Sequence, residues 1–380
     1  MKRIDFLKNS GIVLAGSLIN PIKVVEKKST TWNPPKVLIL GGRGFLGPSI
    51  VNQFNEAGYD ITLLNRGITN PHLFPELPVI ICDRELEDKK GLLAVESKIK
   101  AEYWDIVIDT WQKSPKAVSD FIEEFKNEIG HYHYISTISV YDKWDTKFIV
   151  EEEPLNPLPS FPSTIAEEHR YAIRKTFAEV AIMNKLDKYT IYRSHGMKDE
   201  RITRPEDPNA EPFWPVRFYR GGDIILPEVP DHHMQVTDIK SLTRFIQTCA
   251  ESNTYGAFNV AYHSTPFKDY ISSLVLATES SKTLHWIDGD FLKSNGLIPY
   301  QIVPLWRERP VGAYYFNVQK AVKSGLVNRP ITEMVADQIK GYTSRHPKDD
   351  VRFGEVTNGT LIKYYSMKKE KEILKNWSNE

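Results

Sequence analysis

A doubly wound α/β fold, a parallel sheet with helices on both faces and a smaller C-terminal lobe, is predicted by three features of this chain. The first is Lys36-Val-Leu-Ile-Leu-Gly-Gly-Arg-Gly-Phe-Leu-Gly47, an apolar run that breaks into glycines at Gly41, Gly44 and Gly47. The second is the alternation of short β-rich runs with amphipathic segments of helical length from Lys36 to Arg193, the pattern of a sheet covered on both faces. The third is the end of that regularity after Arg193, where proline and charge take over.

Residues 1–30 are set apart from the fold. Met1-Lys-Arg-Ile-Asp-Phe-Leu-Lys8 is basic, Gly11–Ile19 is mostly apolar, and polar residues follow Pro21. This outline fits a signal peptide, with an uncleaved N-terminal extension as the alternative. The apolar run is too short for a spanning helix, so no stable membrane insertion of the mature chain is expected. Arg3-Ile4-Asp5-Phe6-Leu7-Lys8 resembles the twin-arginine export pattern Arg-Arg-x-Phe-Leu-Lys, with Ile4 in place of the second arginine. It predicts an exported, periplasmic protein, with a cytoplasmic one as the alternative.

A Rossmann domain is expected over 35–195. Its strands are expected at Val37–Leu40, Ile61–Leu64, Val79–Cys82, Ile106–Asp109, His133–Thr137 and Thr190–Arg193. Helices are expected over Ser49–Ala57, Lys116–Asn127 and Ala166–Asn184. Pro48 suits a first helical turn, where its missing N–H costs little. Gly221-Gly222 marks a turn before the strand-like Ile224–Leu226. A helix over Ile239–Glu251 and a strand over Ala257–Ala261 return the chain to the sheet across 236–262. Residues 196–235 and 263–350 then form a substrate lobe, and 351–380 a charged tail whose lysine-rich stretch Leu361–Trp377 reads as a solvated helix.

The glycine turn carries the first chemistry. A strand, a tight turn and a helix in that order form a dinucleotide site. Gly41 allows the turn, Gly44 lets backbone amides approach a pyrophosphate, and Gly47 lets helix and strand pack closely. Phe45 and Leu46, inside the turn, are candidate cofactor contacts with them. The helix N-terminus adds partial positive charge. At the end of the second strand, an acidic residue would bond the adenosine ribose and repel a 2′-phosphate. Asn65-Arg66 stands there instead, which leans toward NADP, with NAD as the alternative.

The β-run His133–Thr137 ends in hydroxyl residues, and strand carboxyl ends line the ligand crevice of such a sheet. Tyr171 and Lys175 lie four residues apart, on one face of a helix. A nearby cation would lower the tyrosine pKa from near 10, fitting it to exchange a proton with a substrate oxygen. Lys+Arg and Asp+Glu both number 49, a balance that gives no electrostatic case for nucleic acid. Cys82 and Cys249 are the only cysteines and read as small core residues. His232-His233 lacks a supporting carboxylate pattern, so no metal is expected.

With these three signals in place, the chain resembles an extended short-chain dehydrogenase/reductase of the NAD-dependent epimerase/dehydratase type, over about Lys36 to Arg345. Gly41, Gly44 and Gly47 match the cofactor motif, Thr137 falls at the catalytic Ser/Thr, and Tyr171 and Lys175 match the Tyr-Lys pair. Pro215–Gly222, Gln235–Asp238 and Gly325–Pro330 look like a bacterial branch similar to the chloroplast stem-loop-binding proteins. The resemblance implies that Thr137 bonds the substrate oxygen and Tyr171 is the acid/base. Lys175 would hold the nicotinamide ribose and depress the tyrosine pKa. Asp83 would contact the adenine, with capping of the following segment as the alternative. Ile138 and Ser139 replace the Asp-Glu of family dehydratases, so elimination of water loses its acid and base.

Trp214, Arg217 and His232 are the candidate substrate contacts, offering an aromatic face and donors suited to a polyol or acid. The expected function is NAD(P)-dependent oxidation–reduction or epimerisation of a hydroxyl or carbonyl on a small, sugar-like substrate, in a chain that could form a homodimer. The alternative is a non-catalytic nucleotide- or RNA-binding protein that keeps the fold.

Overall fold

The computed structural model describes residues 34–158, 170–202, 212–229, 231–299, 303–308, 310–348 and 367–379. The segment 1–30 and the start of the helix expected from Ala166 lie outside them. Residues Pro34–Glu380 gather into one compact unit.

The chain opens with β1 (Lys36–Leu40), α1 (Gly47–Glu56), β2 (Asp60–Asn65) and β3 (Val79–Ile81). Two short helices, α2 (Lys90–Leu93) and α3 (Glu96–Lys100), lead to β4 (Trp104–Asp109), α4 (Pro115–Phe125) and β5 (Ile129–Thr137). Then come α5 (Arg170–Lys185), β6 (Tyr189–Ser194), α6 (Phe213–Arg220), β7 (Gly222–Glu228) and β8 (His233–Met234). They are followed by α7 (Ile239–Ser252), β9 (Gly256–Val260), β10 (Thr265–Pro266), α8 (Phe267–Leu276) and β11 (Lys282–Asp288). The helices α9 (Gly289–Ser294), α10 (Gln319–Lys323), α11 (Ile331–Arg345) and α12 (Met367–Trp377) complete the described chain.

Seven strands form one parallel sheet in the order β3-β2-β1-β4-β5-β6-β9. Alternate residues serve opposite layers, so the central β1 reads as an unbroken apolar run from Val37 to Leu40. Val37 and Ile39 join Phe54, Leu242 and Phe245 on the side of α1 and α7. Leu38 and Leu40 join Phe121, Phe125 and Ile182 on the side of α4 and α5. The strand order reverses between β1 and β4, whose ends meet at Leu40 and Asp109. That switch point opens the crevice where ligands bind such sheets.

The lobe has its own core around Trp214, Phe218, Ile225, Trp306 and Tyr342, with β7 and β11 paired in parallel. The tail helix α12 is not simply solvated, contrary to the expectation. Glu370 and Ile373 are 1% and 0% exposed, because Glu370 accepts hydrogen bonds from Arg217 Nε at 2.9 Å and the Ile225 N–H at 2.8 Å. Among the described residues no helix is long and apolar enough to cross a membrane.

The far end of β5 buries two histidines, His131 and His133, with ring centroids 3.8 Å apart. His131 Nε2 meets Thr190 Oγ1 at 2.7 Å and His133 Nδ1 meets the Tyr192 hydroxyl at 2.8 Å. Burial, with Lys188 nearby, pushes His131 down to about 4, and burial also holds His133 well below its ordinary range. Both fold as neutral rings, so between about pH 6.5 and 4 the unfolded chain binds more protons and stability falls with pH. Melts at pH 7.5 and pH 5 should show a lower Tm at pH 5, with His131 alone contributing a loss of about 2 kcal/mol. His131→Phe should reduce that dependence, His133 keeping the remainder; an unchanged slope would count against the account.

Candidate active site

The turn after β1 runs on backbone that only glycine adopts freely. Gly41 and Gly42 have φ of +123° and +89°, a region closed to most side chains. At Gly47 a Cβ would lie 2.5 Å from the carbonyl carbon of Gly42, so α1 can begin against the strand only if that position is bare. A Cβ at Gly44 would meet nothing within 4 Å; this is the open side of the turn. Gly47→Ala should therefore cost about 1–3 kcal/mol by overpacking and weaken nucleotide affinity with it. A thermal melt matching the wild type would contradict this.

The turn forms one wall of a cavity of about 400 Å³ at the switch point. Gly41, Gly44, Phe45, Leu46, Gly47, Asn65, Arg66, Tyr171 and Lys175 all line it. Asn65 is spent on the turn itself: its amide donates to Gly41 O at 3.1 Å and its carbonyl accepts the Gly67 N–H at 2.8 Å. Five lining residues are cationic, namely Arg43, Arg66, Arg84, Lys113 and Lys175, and no carboxylate lines the cavity. Among the described residues, Arg43 Nε, Arg84 Nε and Trp111 Nε1 are buried N–H groups with no acceptor. With Arg84 already paired to Asp109, Arg43, Arg66 and Lys113 on a wall without carboxylates fit a ligand rich in anionic oxygens.

Thr137, at the tip of β5, is 7% exposed and its hydroxyl accepts the Ser139 N–H at 3.2 Å. It also hydrogen-bonds the Tyr171 hydroxyl, while Tyr171 remains 38% exposed. The expected effect of Lys175 on Tyr171 is not what the geometry shows. Burial raises the Tyr171 pKa above its ordinary value, opposed by the Thr137 hydrogen bond and by Arg174 rather than Lys175. Lys175 instead donates to Trp111 O at 2.8 Å and Ile135 O at 2.6 Å, over the Tyr134 ring. Burial brings its pKa down to about 7, against the pull of Asp109 and Glu179.

Four other expectations need correction. Asp83 does not line the cavity; its Oδ1 accepts the Glu85 N–H at 3.0 Å, a local turn, while its neighbours Cys82 and Arg84 face the ligand space. Trp214 is 2% exposed in the lobe core and donates from Nε1 to Pro304 O at 2.6 Å. It borders a cavity of about 150 Å³, with Arg201, that adjoins the dinucleotide cavity through their shared residues Phe45 and Met197. Arg217 is 3% exposed and committed to Glu370, Gly221 O and Asp223 O, leaving no donor set for a substrate. His232 packs on Phe267 and is held near 4, by burial first and then by His233. It lines cavities of about 200 and 420 Å³ that share no lining residue with the dinucleotide cavity. Among the described residues no group of three or more His, Cys, Asp or Glu could hold a metal ion.

Sequence reasoning missed Arg43, Arg84 and Trp111, while Ser136 belongs to the hydroxyl-ended β-run that it did single out. Arg84 forms a two-pronged ion pair with Asp109 at 3.1 and 2.8 Å, and its guanidinium lies over Trp111 and Phe121. Burial alone would raise Asp109, but Arg84 and the Tyr132 hydroxyl at 2.5 Å hold it below the usual carboxylate range. Ser136 lines the cavity and donates to buried Glu179, which pairs with Arg193 at 2.8 Å. This ties the tip of β5 to α5 and β6.

Residues 37–191 match the model of the NAD dependent epimerase/dehydratase family. No curated protein matches the chain. Among solved structures, the Bordetella bronchiseptica enzyme WbmH in complex with NAD+ superposes with a TM-score of 0.58 at 16% identity, over 82% of this chain and 99% of that one. The dTDP-glucose 4,6-dehydratase of Bacillus anthracis, in complex with NAD, gives 0.55 at 13% identity, over 82% and 98%. UDP-glucose 4-epimerase of Thermotoga maritima, with UDP-glucose, gives 0.54 at 15% identity, over 81% and 99%. At these identities the likeness is one of fold.

Proposed function

We propose, on the premise that residues 37–191 belong to the NAD dependent epimerase/dehydratase family, that this chain is an NAD(P)-dependent oxidoreductase or epimerase acting on a hydroxyl or carbonyl of a carbohydrate-like substrate. One observation carries the reading: a cavity at the switch point, walled by the glycine turn and lined by Arg43, Arg66 and Lys113 with no carboxylate. It suits a dinucleotide, and NADP in particular. Arg43 and Arg66 both line the cavity, and Asn65 cannot repel a 2′-phosphate.

When bound, the nicotinamide would accept or deliver hydride. The protein's part is to position and to move a proton. The glycine turn and the N-terminus of α1 would hold the pyrophosphate, and Arg43 and Arg66 the phosphate-bearing ribose. Tyr171, open to the cavity and bonded to Thr137, would exchange the proton of the substrate oxygen. Ile138 is buried and Ser139 is bonded to Thr137, so this strand tip lacks the acid–base pair for elimination, which favours simple hydride exchange. The export-like pattern at Arg3–Lys8 supports a further step. Outside the cytoplasm a protein-borne cofactor that is reduced and reoxidised within one cycle would need no soluble pool, which favours epimerisation.

Absorbance and mass spectrometry of protein purified without added nucleotide, followed by titration with NADP and NAD, test the reading. Bound dinucleotide, or binding with NADP the tighter, supports it, and Arg66→Ala should erase the preference. A protein that binds neither would overturn it.

A further inference from the structure

We propose that Arg201, in the segment after β6, is a positioning residue of the dinucleotide site: it holds the Phe45 carbonyl turned away from the ligand, so that the Leu46 N–H is presented to the pyrophosphate. The proposal rests on the nucleotide reading above.

Phe45 lies between the dinucleotide cavity and the smaller one beside it and lines both, whereas Arg201 lines only the smaller of the two. The Phe45 carbonyl accepts from Arg201 Nε at 3.2 Å. Within a planar trans peptide the C=O and the following N–H point in opposite directions. The Leu46 N–H is therefore directed away from Arg201, and Leu46 itself lines the dinucleotide cavity. That N–H has no acceptor among the described residues. Leu46 is also the N-cap residue of α1, and its side chain caps nothing, so the first amides of the helix are left to a ligand.

The guanidinium is itself held in place. Arg201 Nη2 donates to Ser49 Oγ in the first turn of α1 and to Asp199, and Ser49 Oγ donates to Asp199 Oδ2 at 3.3 Å. Asp199 is 6% exposed, and its Oδ1 accepts the Glu200 N–H at 2.7 Å. The lobe seats the same segment. Arg345 Nη1 donates to Glu200 O at 2.6 Å, and a Cβ at Gly341 would lie 1.9 Å from that oxygen, so α11 meets the segment with bare backbone. The Phe45–Leu46 peptide turned the other way would set a carbonyl oxygen against the phosphates, where two negative poles repel. By holding that oxygen, Arg201 selects the donor face of the turn.

Arg201→Lys isolates the contact. The ammonium falls near the place of the guanidinium carbon and keeps the charge for Asp199 and Ser49, but a methylene replaces Nε. Titrating the full chain with NADPH, followed by nicotinamide fluorescence, should give about tenfold weaker binding than the wild type, equivalent to about 1.4 kcal/mol. Adenosine 2′-monophosphate, which has no pyrophosphate, should bind both proteins equally, and Tm should change little. Equal NADPH affinity in the folded variant, or an equal loss for both ligands, would overturn the proposal and leave the nucleotide reading intact. Should the variant not fold, the wild-type Arg201 Nε–H resonance decides: exchange with water that slows on saturation with NADPH supports the clamp, and exchange that does not slow overturns it. A wild type that binds no dinucleotide would overturn both.

Discussion

Tyr171→Phe is expected to lower turnover by roughly 10²–10⁴-fold, the usual contribution of a positioned acid or base, while dinucleotide affinity and Tm stay near wild type. The hydroxyl is the only atom removed, it is bonded to Thr137, and the ring already reaches the cavity. Burial raises its pKa, so at neutral pH the phenol is protonated and ready to donate to a developing alkoxide. Taking a proton in the opposite direction needs a neighbouring positive charge, and Arg174 is the cation that acts on Tyr171. The measurement is NADPH absorbance under saturating sugar substrate. Thr137→Ala should show a smaller loss, and a Tyr171→Phe protein keeping more than a tenth of wild-type turnover would move the acid elsewhere.

The second large effect lies far from the cavity. Glu370→Ala should cost about 3–5 kcal/mol, the scale for stripping one partner from a buried ion pair. Arg217 and Glu370 are 3% and 1% exposed, and removal leaves a buried guanidinium with, among the described residues, Gly221 O and Asp223 O as its acceptors. The Ile225 N–H loses its 2.8 Å bond to Glu370 at the same time. Glu370→Gln, which keeps an acceptor, should fall between. Urea melts measure the cost, and NADP titration of the variants under native conditions should show affinity unchanged. A loss of affinity as large as the loss of stability would return Arg217 to the ligand side.

The sheet was legible because of how it is buried. The central β1 packs on both faces, so Val37 and Ile39 serve one layer and Leu38 and Leu40 the other, leaving a continuous apolar run before the glycine turn. Tyr171 and Lys175 were legible from helical spacing, and both line the cavity. Their electrostatics were not, since the carbonyls of Trp111 and Ile135 that capture Lys175 lie 64 and 40 residues away. Arg217 misled for the same reason, its carboxylate being 153 residues downstream. Asp83 misled because a carboxylate two residues before an N–H closes its own turn as readily as it reaches a ligand. Trp111 did carry a signal. It follows the carboxyl end of a strand beside the glycine turn, where the crevice of such a sheet lies.

The Glu370 contact also sets an order of events during synthesis. Its partners Arg217 and Ile225 leave the ribosome 153 and 145 residues earlier. At roughly 5–20 residues per second, they wait on the order of 10 s for the carboxylate that neutralises and caps them. The nucleotide-binding half can close during translation, but the lobe must keep a cation and a strand edge open to water until α12 emerges. Emergence of α12, rather than completion of the sheet, is the moment at which the lobe can close.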